Sequence, residues 1–294
     1  MIRKVIIDTD IGDDIDDALA IVLALNSPEL DVIGLTTVYK NTPLRTKLAL
    51  QLLKAYGKTD IPVATGIGAP MLAQANVEEI PCQWSEEYHD IESGYHQHAA
   101  DFLIEQVRKD PEVTIAAIGP LTNLACAVMK EPDVMKRARI VLMGGMYSAF
   151  YPEWNIVSDP EAAHIVFNSG LHLEMVGLDV TLKCRLSQQD VERIKQAGQS
   201  EVHFLSRLLT QWMDSSRHLP ILHDPLTIAY LSHPDLLTMK AKKIAVECKG
   251  EFTRGMTVDQ QDVFFGRPVE GNAEVAVDVK SEKFIELFMT RLFR

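Results

Sequence analysis

The sequence lacks the features of disulfide-stabilised, zinc-stabilised and membrane-spanning proteins. Its four cysteines lie far apart with no Cys-x-x-Cys spacing: Cys82, Cys126, Cys184 and Cys248. Disulfide frameworks and cysteine zinc sites need a closer pattern, so we expect free thiols. No segment approaches the roughly 20 apolar residues that cross a bilayer, and the first apolar residues are too few for a signal-peptide core. We therefore expect a cytoplasmic protein with no membrane partner.

Positive charge is also scarce. The chain has 29 Lys and Arg against 41 Asp and Glu, a formal net charge of −12, and it contains no run of basic residues. Such a surface repels phosphate groups, which argues against nucleic acid as a partner. Hydrophobic residues make up 47% of the 294 residues. A chain of this length and composition can bury a large core without disulfides or structural metal, and its composition is not that of a disordered protein.

Short apolar runs alternate with segments of helical periodicity along most of the chain. Buried strands are predicted at Val5–Ile7, Val32–Thr37, Thr114–Ile118, Ile140–Met143 and Leu173–Val176. Helices are predicted at Ala18–Leu25, Leu44–Tyr56, Ala99–Val107, Leu121–Met129 and Glu161–Asn168. This alternation predicts an α/β fold with a mainly parallel central sheet flanked by helices, a Rossmann-like core. In such sheets, ligands bind beyond the carboxyl ends of the strands.

The remaining segments extend this pattern without dividing it. Residues 188–230 are expected to be mainly helical, Ile244–Val246 and Val275–Val279 to be additional edge strands, and Glu282–Leu292 to form a closing helix. The irregular, polar stretch Gln74–Gly94 suits a loop over the edge of the sheet. No linker rich in proline, glycine or serine interrupts the chain, so we expect one domain spanning residues 1–294.

Acidic residues crowd the segment after the first predicted strand, at Asp8, Asp10, Asp13, Asp14, Asp16 and Asp17. One or two aspartates at a helix start are explained by the helix dipole. Six are not, because two carboxylates about 5 Å apart repel by roughly 3 kcal/mol at an effective dielectric of about 20. A bound cation relieves the repulsion, and oxygen-only donors favour Ca²⁺ or Mg²⁺ over zinc. An EF-hand is excluded because Leu19 occupies the position of its final glutamate.

Further motifs follow this acidic segment in a fixed order. They are found at residues 8–18, 36–41, 119–123, 143–145, 153–156, 159–163, 178–181, 223–225 and 253–257. Each is common alone, but the ordered set resembles the inosine–uridine-preferring nucleoside hydrolases over nearly the whole chain. The resemblance implies a nucleoside hydrolase-like fold. It also implies an enzyme that hydrolyses the N-glycosidic bond of a small-molecule ribonucleoside around a bound Ca²⁺ and assembles as a homodimer or homotetramer.

The resemblance also implies roles for individual residues. The metal ligands would be Asp10, Asp17, Asp224 and the main-chain carbonyl of Thr122, and the substrate would be bound by Asp16, Asn41, Met143, Glu153, Trp154 and Asn155. Asp10 would also act as general base for a water molecule that the ion acidifies. His223 is the candidate for protonating the departing base. Whether that base is a purine, a pyrimidine or either is left open.

Three departures from the family pattern leave alternatives open. Two residues are inserted between Gly12 and the paired aspartates, so Asp14 is an alternative to Asp16 or Asp17. Lys40 stands where many relatives have glycine, and it either pairs with Asp13 or Asp14 or is solvated. The Gly-Asn pair that usually precedes the Glu-x-Asn motif is absent, and Tyr147 or Tyr151 is the candidate replacement for its contact to the 5′-hydroxyl.

Two other functions are compatible with parts of the pattern. A haloacid-dehalogenase-type phosphatase also carries Asp-x-Asp after its first strand and binds Mg²⁺, with Asp8 as nucleophile and Asp10 as acid. It needs a later lysine and a second acidic pair, which residues 119–123 do not provide. A non-catalytic protein that binds ribosides would use the same pocket, but Asp10 and His223 argue for catalysis.

Overall fold

The computed structural model describes residues 2–92, 95–263 and 270–293. In chain order the strands and helices are β1 (Arg3–Thr9), α1 (Asp16–Leu25), β2 (Leu30–Thr37), α2 (Thr42–Ala55), β3 (Val63–Ala64), α3 (Ala99–Lys109), β4 (Thr114–Ala117), α4 (Thr122–Lys130), α5 (Pro132–Met135), β5 (Arg139–Met143), α6 (Trp154–Ser158), α7 (Pro160–Phe167), β6 (His172–Val176), α8 (Leu178–Thr181), α9 (Gln188–Lys195), α10 (Ser200–Ser216), α11 (His223–Ser232), β7 (Leu237–Lys242), β8 (Ile244–Val246), β9 (Thr257–Asp259), α12 (Gln260–Val263), β10 (Ala273–Val279) and α13 (Ser281–Leu292). Short 3₁₀ helices lie at Glu86–Tyr88 and Pro234–Leu236.

Eight strands form one sheet in the order β3-β2-β1-β4-β5-β6-β10-β7. Neighbouring strands are parallel except β10 and β7, which run antiparallel. The predicted α/β fold with a mainly parallel central sheet flanked by helices is therefore confirmed. The five core strands and the five helices predicted between them are all present, with each end within two residues of its predicted position.

The additional strands differ from the prediction. Val275–Val279 was expected at an edge, but it belongs to β10, which lies between β6 and β7. The edge is formed instead by β7, whose sequence Leu-Thr-Met-Lys-Ala-Lys is largely solvent-accessible and has no apolar run to reveal it. Ile244–Val246 is a strand, but it pairs with β9 in a separate two-stranded sheet.

The two faces of the sheet bury separate apolar cores, because successive strand side chains point to opposite sides. Val5 and Ile7 of β1 pack with residues of α1, α2, α10, α11 and α13. Ile6 between them packs on the opposite face with residues of α3, α4 and α7. Helices cover both faces, as a parallel sheet requires. In the described ranges, no helix is both long and apolar enough to cross a membrane.

The strand order reverses beside β1. The chain continues from β1 to β2 and β3 on one side of β1 and then returns to β4 on the other side. The segments that follow the adjacent strands β1 and β4 therefore lead away from each other. A crevice forms at such a reversal, beyond the carboxyl ends of the strands. Asp8 of β1 lies level with Thr36 of β2 and Ala117 of β4, which places the acidic segment at this end of the sheet.

Candidate active site

A cavity of about 770 Å³ opens at the carboxyl end of the sheet. Its wall contains most of the residues singled out in the sequence: Asp10, Asp14, Asp16, Asp17, Met143, Glu153, Trp154, Asn155, His223 and Asp224. These residues come from the segments after β1 and β5 and from the starts of α1, α6 and α11. The fold therefore gathers side chains that are more than 200 residues apart in sequence around one space.

The acidic loop, residues 10–15, connects β1 to α1 through a tight turn. Gly12 has φ +127°, a conformation that side chains disfavour, and a Cβ atom there would lie 2.7 Å from Cβ of Pro81. Gly119, after β4, gives Asp10 room, since a Cβ at Gly119 would lie 2.8 Å from Oδ1 of Asp10. Both glycines allow the loop to pack closely against its neighbours while Asp10 faces the cavity.

Three buried carboxylates meet at one point of the cavity wall. Asp16, Asp17 and Asp224 each offer an oxygen, and these oxygens all lie within 4.8 Å of one another. The helices that carry them, α1 and α11, pack against each other. Thr9 Oγ1 donates to Asp17 at 2.5 Å, and the Asp224 N–H donates to Asp16 Oδ2 at 3.3 Å. The cluster is thus built from helix starts that the core holds together.

Burial and mutual repulsion disfavour the ionised forms of these groups. The pKa values of Asp16, Asp17 and Asp224 lie well above the ordinary range, first because of burial and then because of neighbouring carboxylates. Burial also raises the pKa of Asp10 to about 7, although the charge of Arg45 opposes the rise. A divalent cation would reverse this balance, and donors that are all oxygen fit a hard ion such as Ca²⁺.

The raised pKa values of these buried carboxylates predict that the folded protein becomes less stable as pH rises. In the folded protein Asp8 and Asp10 keep their protons up to pH values of about 6 and about 7, whereas the unfolded chain loses them near the ordinary pKa of 3.8. Their stabilisation is therefore complete below that ordinary pKa and is lost as pH rises through the folded values. We expect the Tm of chelator-treated protein to fall between about pH 4 and about pH 7. Scanning calorimetry measures this, and Ca²⁺ should reduce the fall because it binds the carboxylate form. An unchanged Tm across this range would contradict the raised pKa values.

Glu153 and Asn155 shape the wall on the side of β5. Glu153 caps α6, accepting from the N–H groups of Asn155 and Gly145, each at 2.9 Å. The Asn155 amide donates to the carbonyls of Ile118 at 2.9 Å and Met143 at 3.2 Å. Because both side chains are buried and bonded to the main chain, they present fixed positions to a ligand.

His223 is the first residue of α11 and lies beside Asp224. Its Nδ1 is 2.7 Å from Oγ1 of Thr181. Burial lowers the pKa of the imidazole to about 4, and the charge of Arg185 adds to the effect. The ring is therefore uncharged at neutral pH, and when Thr181 donates to Nδ1 the hydrogen is on Nε2.

Two predicted site residues lie outside the cavity wall. The Asn41 side chain caps α2 and accepts from the N–H of Leu44 at 3.3 Å. Thr122 begins α4, and its hydroxyl donates to Asp159 at 2.7 Å. Both follow strands of the reversal, β2 and β4, so they border the same end of the sheet.

The structure also places the residues at which the sequence departs from the family pattern. Lys40 pairs with Glu79 at 2.5 Å and with Asp13 at 3.4 Å, and its Nζ lies 5.8 Å from the ring centre of Trp154 in the wall. Tyr151 lines the cavity. Tyr147 does not, and its ring lies 4.6 Å from Nζ of Lys242.

Sequence reasoning identified Met143 and Trp154 in the wall but missed other apolar residues there. Phe150 and Leu182 line the cavity, although their side chains are largely exposed to solvent at its mouth. Nothing in an isolated phenylalanine or leucine distinguishes it from a core residue, so only the fold reveals them.

The family model described as inosine-uridine preferring nucleoside hydrolase matches residues 5–286. The chain belongs to this family. The predicted resemblance to the nucleoside hydrolases is confirmed, and as a member the chain is a ribonucleoside hydrolase, an enzyme class that cleaves the N-glycosidic bond. The acidic cluster is the part of the nucleoside hydrolase that suits a metal ion.

Individual nucleoside hydrolases match over their full lengths. Pyrimidine-specific ribonucleoside hydrolases RihA from Citrobacter koseri and Salmonella gallinarum are each 37% identical, over 99% of this chain and 98% and 99% of theirs. Among solved structures, a plant nucleoside hydrolase is 33% identical with a TM-score of 0.87, covering 99% of both chains. A purine-preferring ribonucleoside hydrolase from Gardnerella vaginalis is 31% identical with a TM-score of 0.87, covering 99% of this chain and 98% of its own.

Proposed function

We propose that the cavity hydrolyses ribonucleosides to free base and ribose with Ca²⁺ as cofactor. The observation that carries this proposal is the cluster of Asp16, Asp17 and Asp224 in the wall of the cavity beside Asp10. Asp10, Asp17, Asp224 and the main-chain carbonyl of Thr122 would hold the ion. All are hard oxygen donors, the type that Ca²⁺ prefers.

When bound, the ion supplies positive charge that acidifies water and attracts vicinal hydroxyl oxygens. Asp10 would then accept a proton from the attacking water, for which its carboxylate is placed in the cavity wall. Asp16 and Asn41 would bind ribose hydroxyls. The ribosyl group gains positive charge as the glycosidic bond breaks, and the surrounding carboxylates stabilise that charge.

The opposite side of the cavity would hold the rest of the ribose. Glu153 and Asn155 are placed to bind the 5′-hydroxyl, Met143 to pack against the sugar and Trp154 to close the wall. Tyr151 is the better candidate for the contact that the missing Gly-Asn pair would make, because it lines the cavity and Tyr147 does not.

His223 would donate to the departing base. The low pKa of its ring favours a hydrogen bond from neutral Nε2–H over a resting imidazolium. We expect His223→Ala to slow uridine and inosine hydrolysis by about 10²-fold or more. Hydrolysis of p-nitrophenyl riboside should slow by less than about tenfold, because p-nitrophenolate leaves without a proton. Initial rates with both substrate types measure the difference.

Thr181→Val is the matched control for this prediction. It removes the partner of Nδ1 but keeps the imidazole, so it should produce a smaller loss that is again confined to natural nucleosides. Equal losses on nucleosides and on p-nitrophenyl riboside in His223→Ala would remove His223 from the leaving-group role.

The phosphatase alternative conflicts with the position of Asp8. This side chain is fully buried, lies outside the cavity wall, and accepts from Thr36 at 2.5 Å and Asn123 at 2.8 Å. A nucleophile must reach its substrate. A riboside-binding protein without catalysis would differ from the proposed enzyme in releasing no ribose, which product analysis measures directly. Assembly as a homodimer or homotetramer and a cytoplasmic location stay predictions.

A further inference from the structure

Arg45 of α2 is fully buried beneath the acidic loop. Its Nε donates to the carbonyl of Tyr39 at 2.8 Å, and its Nη2 donates to Oδ2 of Asp13 at 2.7 Å. Its Nη1 donates to the carbonyls of Asp10 and Ile11, the latter at 2.8 Å. A buried guanidinium is tolerated only when its N–H groups are paired. Three of its four partners belong to the acidic loop, and two of these are main-chain oxygens.

The remaining carbonyls of the loop are also bonded. Gly12 accepts from the N–H of Gln83 at 2.9 Å, and Asp14 accepts from the Gln83 side-chain amide at 2.6 Å. The Asp13 carbonyl lies 3.2 Å from Sγ of Cys82. Every carbonyl from residue 10 to residue 14 thus has a donor, and none of these donors lines the cavity. The loop main chain is thus held from outside the cavity, while Asp10 and Asp14 of the loop line the cavity.

We propose that Arg45 is a positioning residue that fixes the main chain around Asp10 and thereby sets both the affinity for the divalent cation and the turnover number. Arg45 does not line the cavity, and none of its hydrogen bonds reaches Asp16, Asp17 or Asp224. Its guanidinium forms an ion pair with Asp13, which Lys40 also approaches, and its charge also favours the ionised forms of Asp10 and Asp17. This inference rests on the proposed function for turnover, but its effect on cation affinity is measured separately.

The geometry explains why lysine cannot replace arginine. The guanidinium uses three nitrogens to reach Tyr39, Asp10, Ile11 and Asp13, whereas an ammonium has one nitrogen on a flexible stem. Arg45→Lys therefore keeps the charge but loses most of the hydrogen bonds. A shift of about 1 Å in a catalytic group is enough to cost about 10²-fold in rate.

The test measures Ca²⁺ affinity and steady-state kinetics of Arg45→Lys in the full chain. Titration calorimetry of chelator-treated protein should show a Ca²⁺ Kd raised by about tenfold or more. With Ca²⁺ saturating, kcat for a ribonucleoside substrate should fall by about tenfold or more while KM changes by less than about threefold. Arg45→Gln, which keeps an amide donor, is the second variant and is judged by the same thresholds if the lysine variant does not fold.

Two further variants separate positioning from stability. Arg291→Met is the matched control, because Arg291 is also buried and donates to Glu29 at 2.7 Å and to the Asn26 carbonyl at 3.4 Å, at the opposite end of the sheet. It should lower Tm without changing the Ca²⁺ Kd or kcat. Asp13→Asn keeps the carbonyl contacts of Arg45 and should change the Kd less than Arg45→Lys does.

The outcomes are distinguishable. A folded Arg45 variant with wild-type Ca²⁺ Kd and wild-type kcat overturns the inference. So does an Asp13→Asn variant that matches Arg45→Lys, because the effect would then belong to the ion pair and not to the main-chain contacts. If the wild-type chain binds Ca²⁺ but releases no ribose from any ribonucleoside, the proposed function fails, and the change in Kd still decides the role of Arg45 in cation binding.

Discussion

Asp10→Asn lowers kcat for ribonucleoside hydrolysis by about 10²–10⁴-fold, with little change in substrate affinity. The substitution keeps the shape of the side chain, which matters because Asp10 packs against Gly119. It also keeps one oxygen toward the ion. What it removes is the carboxylate that, in the proposed reaction, accepts the proton of the attacking water. Rates are measured by the change in absorbance on base release, and affinity by calorimetry with the inactive variant.

Asp14→Asn is the matched control for Asp10→Asn. Asp14 also lines the cavity, but its Oδ1 accepts the N–H of Ile15 at 2.6 Å. Its amide variant should lose less than about tenfold in kcat, because it takes no proton in the proposed reaction. A severe loss in Asp14→Asn with near-normal turnover in Asp10→Asn would contradict the assignment of Asp10 as the general base.

We expect removal of Ca²⁺ to abolish hydrolysis and to lower the Tm of the protein. The clustered carboxylates of Asp16, Asp17 and Asp224 have no buried cationic side chain among their hydrogen-bond partners in the described part of the chain. Bound Ca²⁺ therefore stabilises the folded state, by about 4 kcal/mol at a free concentration about 1,000 times its Kd. Activity and thermal unfolding are measured before and after treatment with a chelator and after Ca²⁺ is restored.

Asp224→Asn tests how much one carboxylate of the cluster contributes to Ca²⁺ binding. It removes one charge from the cluster with little change in shape, so Ca²⁺ should bind more weakly and stabilise the variant less. Restoring Mg²⁺ or Zn²⁺ in place of Ca²⁺ identifies the ion that the oxygen donors prefer. Full activity in protein shown by elemental analysis to be free of metal would exclude the proposed metal dependence.

The sequence predicts the central fold well because buried strands and amphipathic helices have strong periodic patterns. Val5–Ile7 and Ile140–Met143 are continuous apolar runs, and both belong to central strands. Periodicity fails at the sheet edges. β7 has no apolar run, and its only strand signal is the alternation of apolar and polar residues in Leu-Thr-Met-Lys-Ala-Lys. β3 has two residues, too few for any periodic pattern.

The candidate site was predicted for a different reason. Nothing in the spacing of Asp16 and Asp224, which are 208 positions apart, places them together. Their proximity was implied by the ordered motifs, and the structure brings both into one cluster. Arg45 was missed because an arginine in a helical pattern is most often at the surface. Only the main-chain oxygens around it show why it is buried.

Product analysis of the metal-free and Ca²⁺-loaded chain tests the proposed reaction most directly. Uridine, inosine and nicotinamide riboside are incubated with purified wild-type protein, with and without Ca²⁺, and base and reducing sugar are both quantified. We predict equimolar free base and ribose from at least one of these ribosides, with Ca²⁺ only. Binding of these ribosides without release of ribose in the presence of Ca²⁺ would contradict the assignment of the cavity as a hydrolase site.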